Sequence, residues 1–101
     1  MSKSFLINNI TSNDVEANIL RILVANKIYF PISADGYPCN YNIKIKVGSE
    51  TYDRIYRYYG NKSGRLYLRN ELYKEIFKIE PEDMLKVTVI EENKTYEIIK
   101  L

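Results

Sequence analysis

Two stretches of this chain alternate with period two, and that alternation limits the fold more than any other feature. In "YNIKIKV" (41–47), Ile43, Ile45 and Val47 alternate with Asn42, Lys44 and Lys46; "GSE" follows as a turn, then "TYDRIYRYY". The second unit reads "MLKVTVI", the turn "EENK", then "TYEIIKL". A chain that puts apolar side chains on one side and polar ones on the other forms strands of an antiparallel sheet with one wet face. The two hairpins also resemble each other: "KIKVGSETYDRI" can be laid on "KVTVIEENKTYEII", and each is preceded by a similar piece, "KIYFP" at 27–31 and "RLYLR" at 65–69. That pattern fits two related halves of about 40 residues, and it fits equally two hairpins that share composition.

Helical signals are few. Asn70 stands where it can cap "ELYKEIF", with Leu72 and Ile76 one turn apart and Pro81 as the breaker beyond. The segment "NDVEANILRILVANK" reads either as a helix capped by Asn13 or Asp14, or as a strand through Leu20, Ile22 and Val24. The expectation is a single domain over residues 1–101, mainly β with one or two short helices. Six or seven short strands around one core make a small, seven-stranded, open or closed pseudobarrel, since closure removes exposed edges. Leu66, Leu68, Ile55, Leu72, Val87, Val89 and Ile98 are the expected core.

The inventory narrows the chemistry. The chain has no histidine and one cysteine, which removes a histidine general base, a Ser-His-Asp triad and a zinc site with ordinary ligands. Carboxylate-based metal chemistry stays open, but the acids are scattered and form no known motif. No enzyme activity, cofactor or metal is expected. Cys39 alone excludes an internal disulfide and fits a reducing cytoplasm. The longest apolar run, residues 19–25, is broken by Arg21 and too short to span a bilayer. "MSKSFLINNI" lacks the apolar core and cleavage site of a signal peptide.

Charge is segregated. "RIYRYYGNKSGRLYLR" (54–69) carries five cations, Arg54, Arg57, Lys62, Arg65 and Arg69, with four tyrosines and no acid, in a chain whose net charge is +2. Residues 70–101 hold eight acids and five bases. The glycines of "GNKSG" permit positive φ and close backbone approach. The expected result is a protruding cationic hairpin, with Asn61, Lys62 and Ser63 at its tip and Arg57 and Arg65 beside it. Such a cluster suits phosphates, and Arg and Asn side chains can read base edges in a major groove. Arg and Tyr alternating on a wet sheet face, with Arg stems covering rings, is the alternative. The missing acids count against it, because a structural basic strand ordinarily has acidic cross-strand partners.

In order along the chain, "ITSNDV", "NKIYFP", "VGSETYDRIYRYYGNKSGRLYL" and "ELYKEIFKIEPEDML" resemble the B3-type DNA-binding pseudobarrel of plant transcription factors and of EcoRII-like and BfiI-like restriction endonucleases. The family pattern Leu-Thr-x-(Ser/Asn)-Asp is here Ile10-Thr11-Ser12-Asn13-Asp14, and its Gly-Asp pair is here Glu82-Asp83. The resemblance implies a double-stranded DNA partner gripped by two arms in the major groove, with a nuclease domain or subunit as a further partner and no membrane. The N-arm would be residues 12–27, supplying Ser12, Asn13, Asn18, Arg21 and Lys27. The C-arm would be residues 57–65, and the basic stretch around it would supply Arg54, Arg57, Tyr58, Tyr59, Asn61, Lys62, Ser63, Arg65 and Arg69. One departure is that the restriction-enzyme N-arm is polar and glycine-rich, whereas "ILRILVA" is apolar. Two other readings stand beside this one. "SGRLYLRNELYKEIFKIEPEDMLKVTV" is similar to the swapped-hairpin unit of AbrB-like DNA-binding dimers. Ten tyrosines and "ILRILVA" also suit a protein-interaction barrel, a subunit or inhibitor with a tyrosine-rich face.

Overall fold

A computed structural model describes residues 3–101. Its strands are β1 (Lys3–Ile7), β2 (Ile19–Ile22), β3 (Cys39–Val47), β4 (Glu50–Tyr58), β5 (Gly64–Tyr67), β6 (Leu85–Glu91) and β7 (Thr95–Lys100). They form one seven-stranded sheet in the order β1-β6-β7-β3-β4-β5-β2. Every neighbouring pair is antiparallel except β3 with β7, which run parallel. The end strands β1 and β2 come into contact without pairing, so the sheet is a nearly closed barrel. Both alternating hairpins form as read. Ile43 and Ile45 face inward from β3, Leu85, Val87 and Val89 from β6, and Tyr96 and Ile98 from β7.

The barrel interior is centred on a stack of rings. Phe30 lies between Tyr56 and Tyr96, with centroid distances of 4.6 and 4.2 Å. Such stacks add about 0.5–1.5 kcal/mol per pair to the burial itself. The Tyr96 hydroxyl donates to the Tyr29 carbonyl. Tyr56 needs room, and Gly64 provides it: a Cβ at Gly64 would lie 2.1 Å from the Tyr56 hydroxyl oxygen. The two glycines of "GNKSG" therefore do different things. Gly60 has a left-handed φ of +61°, whereas Gly64 lets a ring approach the backbone.

Several expectations are corrected. Ile55 is half-buried on the outward face, because Arg54 and Tyr56 take the inward positions of β4. Leu66, Leu68, Leu72, Val87, Val89 and Ile98 are buried as expected. Residues 14–27 are neither one helix nor one strand. Helix α1 (Ser12–Ala17) is stopped by Asn18, whose backbone is left-handed at φ 58°, and β2 follows at once. Its cap is Thr11, with Asp14 completing a capping box: Thr11 Oγ1 accepts from the Asp14 N–H, and Asp14 Oδ2 accepts from the Thr11 N–H. Next comes a 3₁₀ helix, Val24–Tyr29, so "KIYFP" is not a strand, and the likeness between the two halves is confined to the hairpins.

Asn70 makes no side-chain cap bond. Glu71–Ile76 is a π turn in which the Phe77 N–H bonds to the Leu72 carbonyl at 2.9 Å. The wider turn puts Phe77, rather than Ile76, on the same side as Leu72, and Ile76 is 42% exposed. The segment similar to a swapped-hairpin unit does not fold as one: β5 and β6 are not neighbours, β5 lying between β4 and β2 and β6 between β1 and β7.

Candidate nucleic-acid interface

Strand pairing turns the basic stretch into a row. Across β4 and β5, Arg57 is the direct partner of Arg65; across β5 and β2, Arg65 is the direct partner of Arg21. On the other side of β4, Asn40 of β3 is the partner of Arg57, and its Oδ1 accepts from Arg57 Nη1 at 2.9 Å. Direct partners project from the same face. The adjacent rung, Tyr56 and Leu66 with Leu20, points into the core, so the arginine rung points out. Three guanidinium groups on neighbouring strands are thus about 5 Å apart at their roots. Among the described residues, neither Arg57 nor Arg65 forms an ion pair. Arg21 has one, Nε to Asp14 Oδ2 at 3.0 Å, and also donates to the Asn9 carbonyl.

Tyr59 sits in the middle of this row. The guanidinium carbons of Arg57 and Arg65 lie 4.9 and 5.0 Å from its ring centroid. Tyr59 is held below the ordinary tyrosine value by a hydrogen bond with Tyr67, then by a bond from Arg57 and the Arg65 and Arg57 charges. Burial pushes the Tyr67 hydroxyl the other way, above its usual range. The ring keeps two like charges side by side without a carboxylate. On one side of Tyr59, an open depression of about 310 Å³ is lined by Arg21, Lys62, Ser63 and Arg65. On the other side, one of about 460 Å³ is lined by Asn40, Ile55, Arg57 and Tyr67. A cationic, concave, partly aromatic strip of this kind can accept phosphate oxygens and the edges or faces of planar groups.

The predicted residues divide into three groups. Arg21, Arg57, Tyr59, Lys62, Ser63 and Arg65 are brought together here, with exposed Asn61 next to Lys62 at the tip. Ser12 and Asn13 are exposed at the start of α1, and Asn18 is its half-buried left-handed end. Arg69 is exposed beyond the end of β5, in a left-handed backbone conformation at φ 65°. The others face inward. Arg54 is 4% exposed and donates to the Leu68 carbonyl at 2.7 Å, to its own neighbour's carbonyl at Asp53, and to Glu71 Oε1 at 2.8 Å. Lys27 is 7% exposed and Tyr58 packs against the core. The reason is parity: residues 54 and 57 are three apart on one strand, so they lie on opposite faces. Sequence reasoning missed Asn40, and its signal was available only through the register of β3 against β4.

No protein-family model matches this chain, and no curated protein matches it in sequence. Among solved structures, the chain is similar to a hypothetical Arabidopsis thaliana protein, with a TM-score of 0.69 and 16% identity, covering 100% of this chain and 91% of that one. At that identity the likeness is one of fold alone, and it extends over the whole of this chain.

Proposed function

We propose that this chain is a non-catalytic domain that binds double-stranded DNA through the face carrying Arg21, Arg57, Tyr59, Lys62, Ser63 and Arg65. The observation that carries the reading is the cross-strand row Arg57, Arg65, Arg21, in which the first two have no acidic partner among the described residues. Like charges placed directly opposite one another oppose folding. A polyanion with closely spaced charges relieves that repulsion, and released counterions supply most of the affinity.

The B3-type reading fits the same face. Its two arms, residues 12–27 and 57–65, meet where Arg21 stands beside Arg65. Thr11 and Asp14, both in the family pattern, form the capping box. Glu82, which stands where the family has glycine, has a φ of +75°, the backbone that glycine takes most readily. In this reading Arg57 and Arg65 reach base edges and Lys62 a phosphate, and a nuclease on another chain is a compatible partner. The test is a gel-shift series with random duplex DNA at several salt concentrations, followed by selection from a random duplex library. Binding that weakens with salt, together with an enriched motif, supports the reading. No binding at low salt removes it.

A second reading has its own observation. Val24, Ile28, Ile32 and Tyr37 are 57%, 66%, 60% and 72% exposed within one connection, between β2 and β3. Apolar exposure of this kind suits a protein-interaction barrel, in which Tyr and Arg are frequent anchors.

A further inference from the structure

We infer that Lys27 is a positioning residue that pins the loop at 59–63 in its working shape. Lys27 is buried at the 3₁₀ helix that follows β2, and its ammonium donates to two backbone carbonyls of that loop, Gly60 and Lys62. The Tyr58 ring lies 4.5 Å from the same nitrogen. A lysine ammonium has three N–H donors, and here two carbonyl oxygens and one aromatic face meet it. Among the described residues Lys27 forms no ion pair, so the positive charge is held by dipoles and a ring alone. Burial of an ammonium is costly and lowers its proton affinity, and burial is what pulls Lys27 below the ordinary lysine value. The partners explain why a charge lies there. The two carbonyls bracket Asn61, so one contact at each side fixes the tip that presents Lys62 and Ser63. Gly60 completes the arrangement: it is left-handed at φ +61°, and a Cβ there would lie 3.2 Å from the Gly36 carbonyl oxygen, so a second loop abuts the pinned one.

The role in binding rests on the DNA reading above; the pinning itself does not. Lys27→Met keeps the apolar stem and removes the donors. In the free Lys27→Met chain, amide hydrogen exchange at Asn61, Lys62 and Ser63 is expected to accelerate, while Leu66, Val87 and Tyr96 stay protected. Affinity for duplex DNA should fall about tenfold, the scale of ordering a loose loop on binding. The slope of log affinity against log salt should stay as in the wild type, because no phosphate contact is lost. A slope lower by about one would mean that Lys27 itself touches a phosphate, and would overturn the inference. Unchanged exchange at 61–63 would also overturn it. Faster exchange in a chain whose wild type binds no DNA would support the pin and remove only the DNA reading. Should Lys27→Met fail to fold, the wild-type chain decides: the carbonyl carbon shifts of Gly60 and Lys62 must follow the titration of the Lys27 side chain. Carbonyls that ignore that titration would contradict the pin.

Discussion

Arg57 and Arg65 face each other directly across β4 and β5, each within about 5 Å of the Tyr59 ring and neither paired with a carboxylate among the described residues. Folding gains little from holding them there. Replacing Arg65 with Gln removes the like-charge contact with Arg57, a weaker one with Arg21, whose charge is already paired with Asp14, and one cation–π contact; the two kinds are each worth about 0.2–1 kcal/mol and opposite in sign. Stability should therefore change by less than about 0.5 kcal/mol, as read from chemical denaturation. Arg54 is the contrast on the same strand. Arg54→Ala leaves the buried Leu68 carbonyl without its donor and should cost about 2–3 kcal/mol. A large loss for Arg65→Gln and none for Arg54→Ala would mean that the inward and outward faces of β4 are exchanged.

Gly64 and Tyr56 form one packing unit, and their coupling can be measured. Gly64→Ala forces a methyl group into the Tyr56 ring and should destabilise by about 1–3 kcal/mol. Tyr56→Phe should be close to neutral, because the Tyr56 hydroxyl is buried without a hydrogen-bond partner among the described residues. The double variant should recover part of the Gly64→Ala loss, since the hydroxyl is the atom closest to the new methyl. Strict additivity in the double-mutant cycle would show that the two sites do not touch.

Three buried tyrosines set an alkaline limit. Tyr56, Tyr73 and Tyr96 all have their ionisation pushed far above the usual 10.0, in each case first by burial. The unfolded chain ionises these groups near the ordinary value. Their contribution to stability is thus fully present below about pH 10 and is lost as pH rises from there toward the folded values. Followed by tyrosinate absorbance, these three should ionise only together with loss of structure. Smooth ionisation of all ten in a folded chain would contradict the packing of the core.

The hairpins and most of the core were legible because period-two alternation survives in each strand on its own. Four features were not, for different reasons. The face of β4 is ambiguous locally: "DRIYRYY" has apolar or aromatic residues on both parities. Laying the two hairpins on each other puts Arg54 at the place of Ile98, which is buried, and that correspondence held the missing hint. Residues 12–29 compress a helix, a strand and a 3₁₀ turn into one short stretch, each element shorter than any period needs to declare itself. Lys27 looked like a surface cation because its partners are backbone carbonyls 33 and 35 residues away. The arginine row needed register: the sequence holds Arg21, Arg57 and Arg65 apart, and only the β5 pairing brings them side by side.

The most direct test compares Arg57→Ala, Arg65→Ala and Lys62→Ala with the wild type, each measured on a selected duplex and on random duplex at several salt concentrations. Arg57→Ala and Arg65→Ala should flatten the preference for the selected site, a bidentate arginine being worth about 1–3 kcal/mol of discrimination. Lys62→Ala should weaken both DNAs alike and lower the salt slope by about one. Wild-type affinity for duplex DNA that is unchanged by all three replacements would contradict binding through this face.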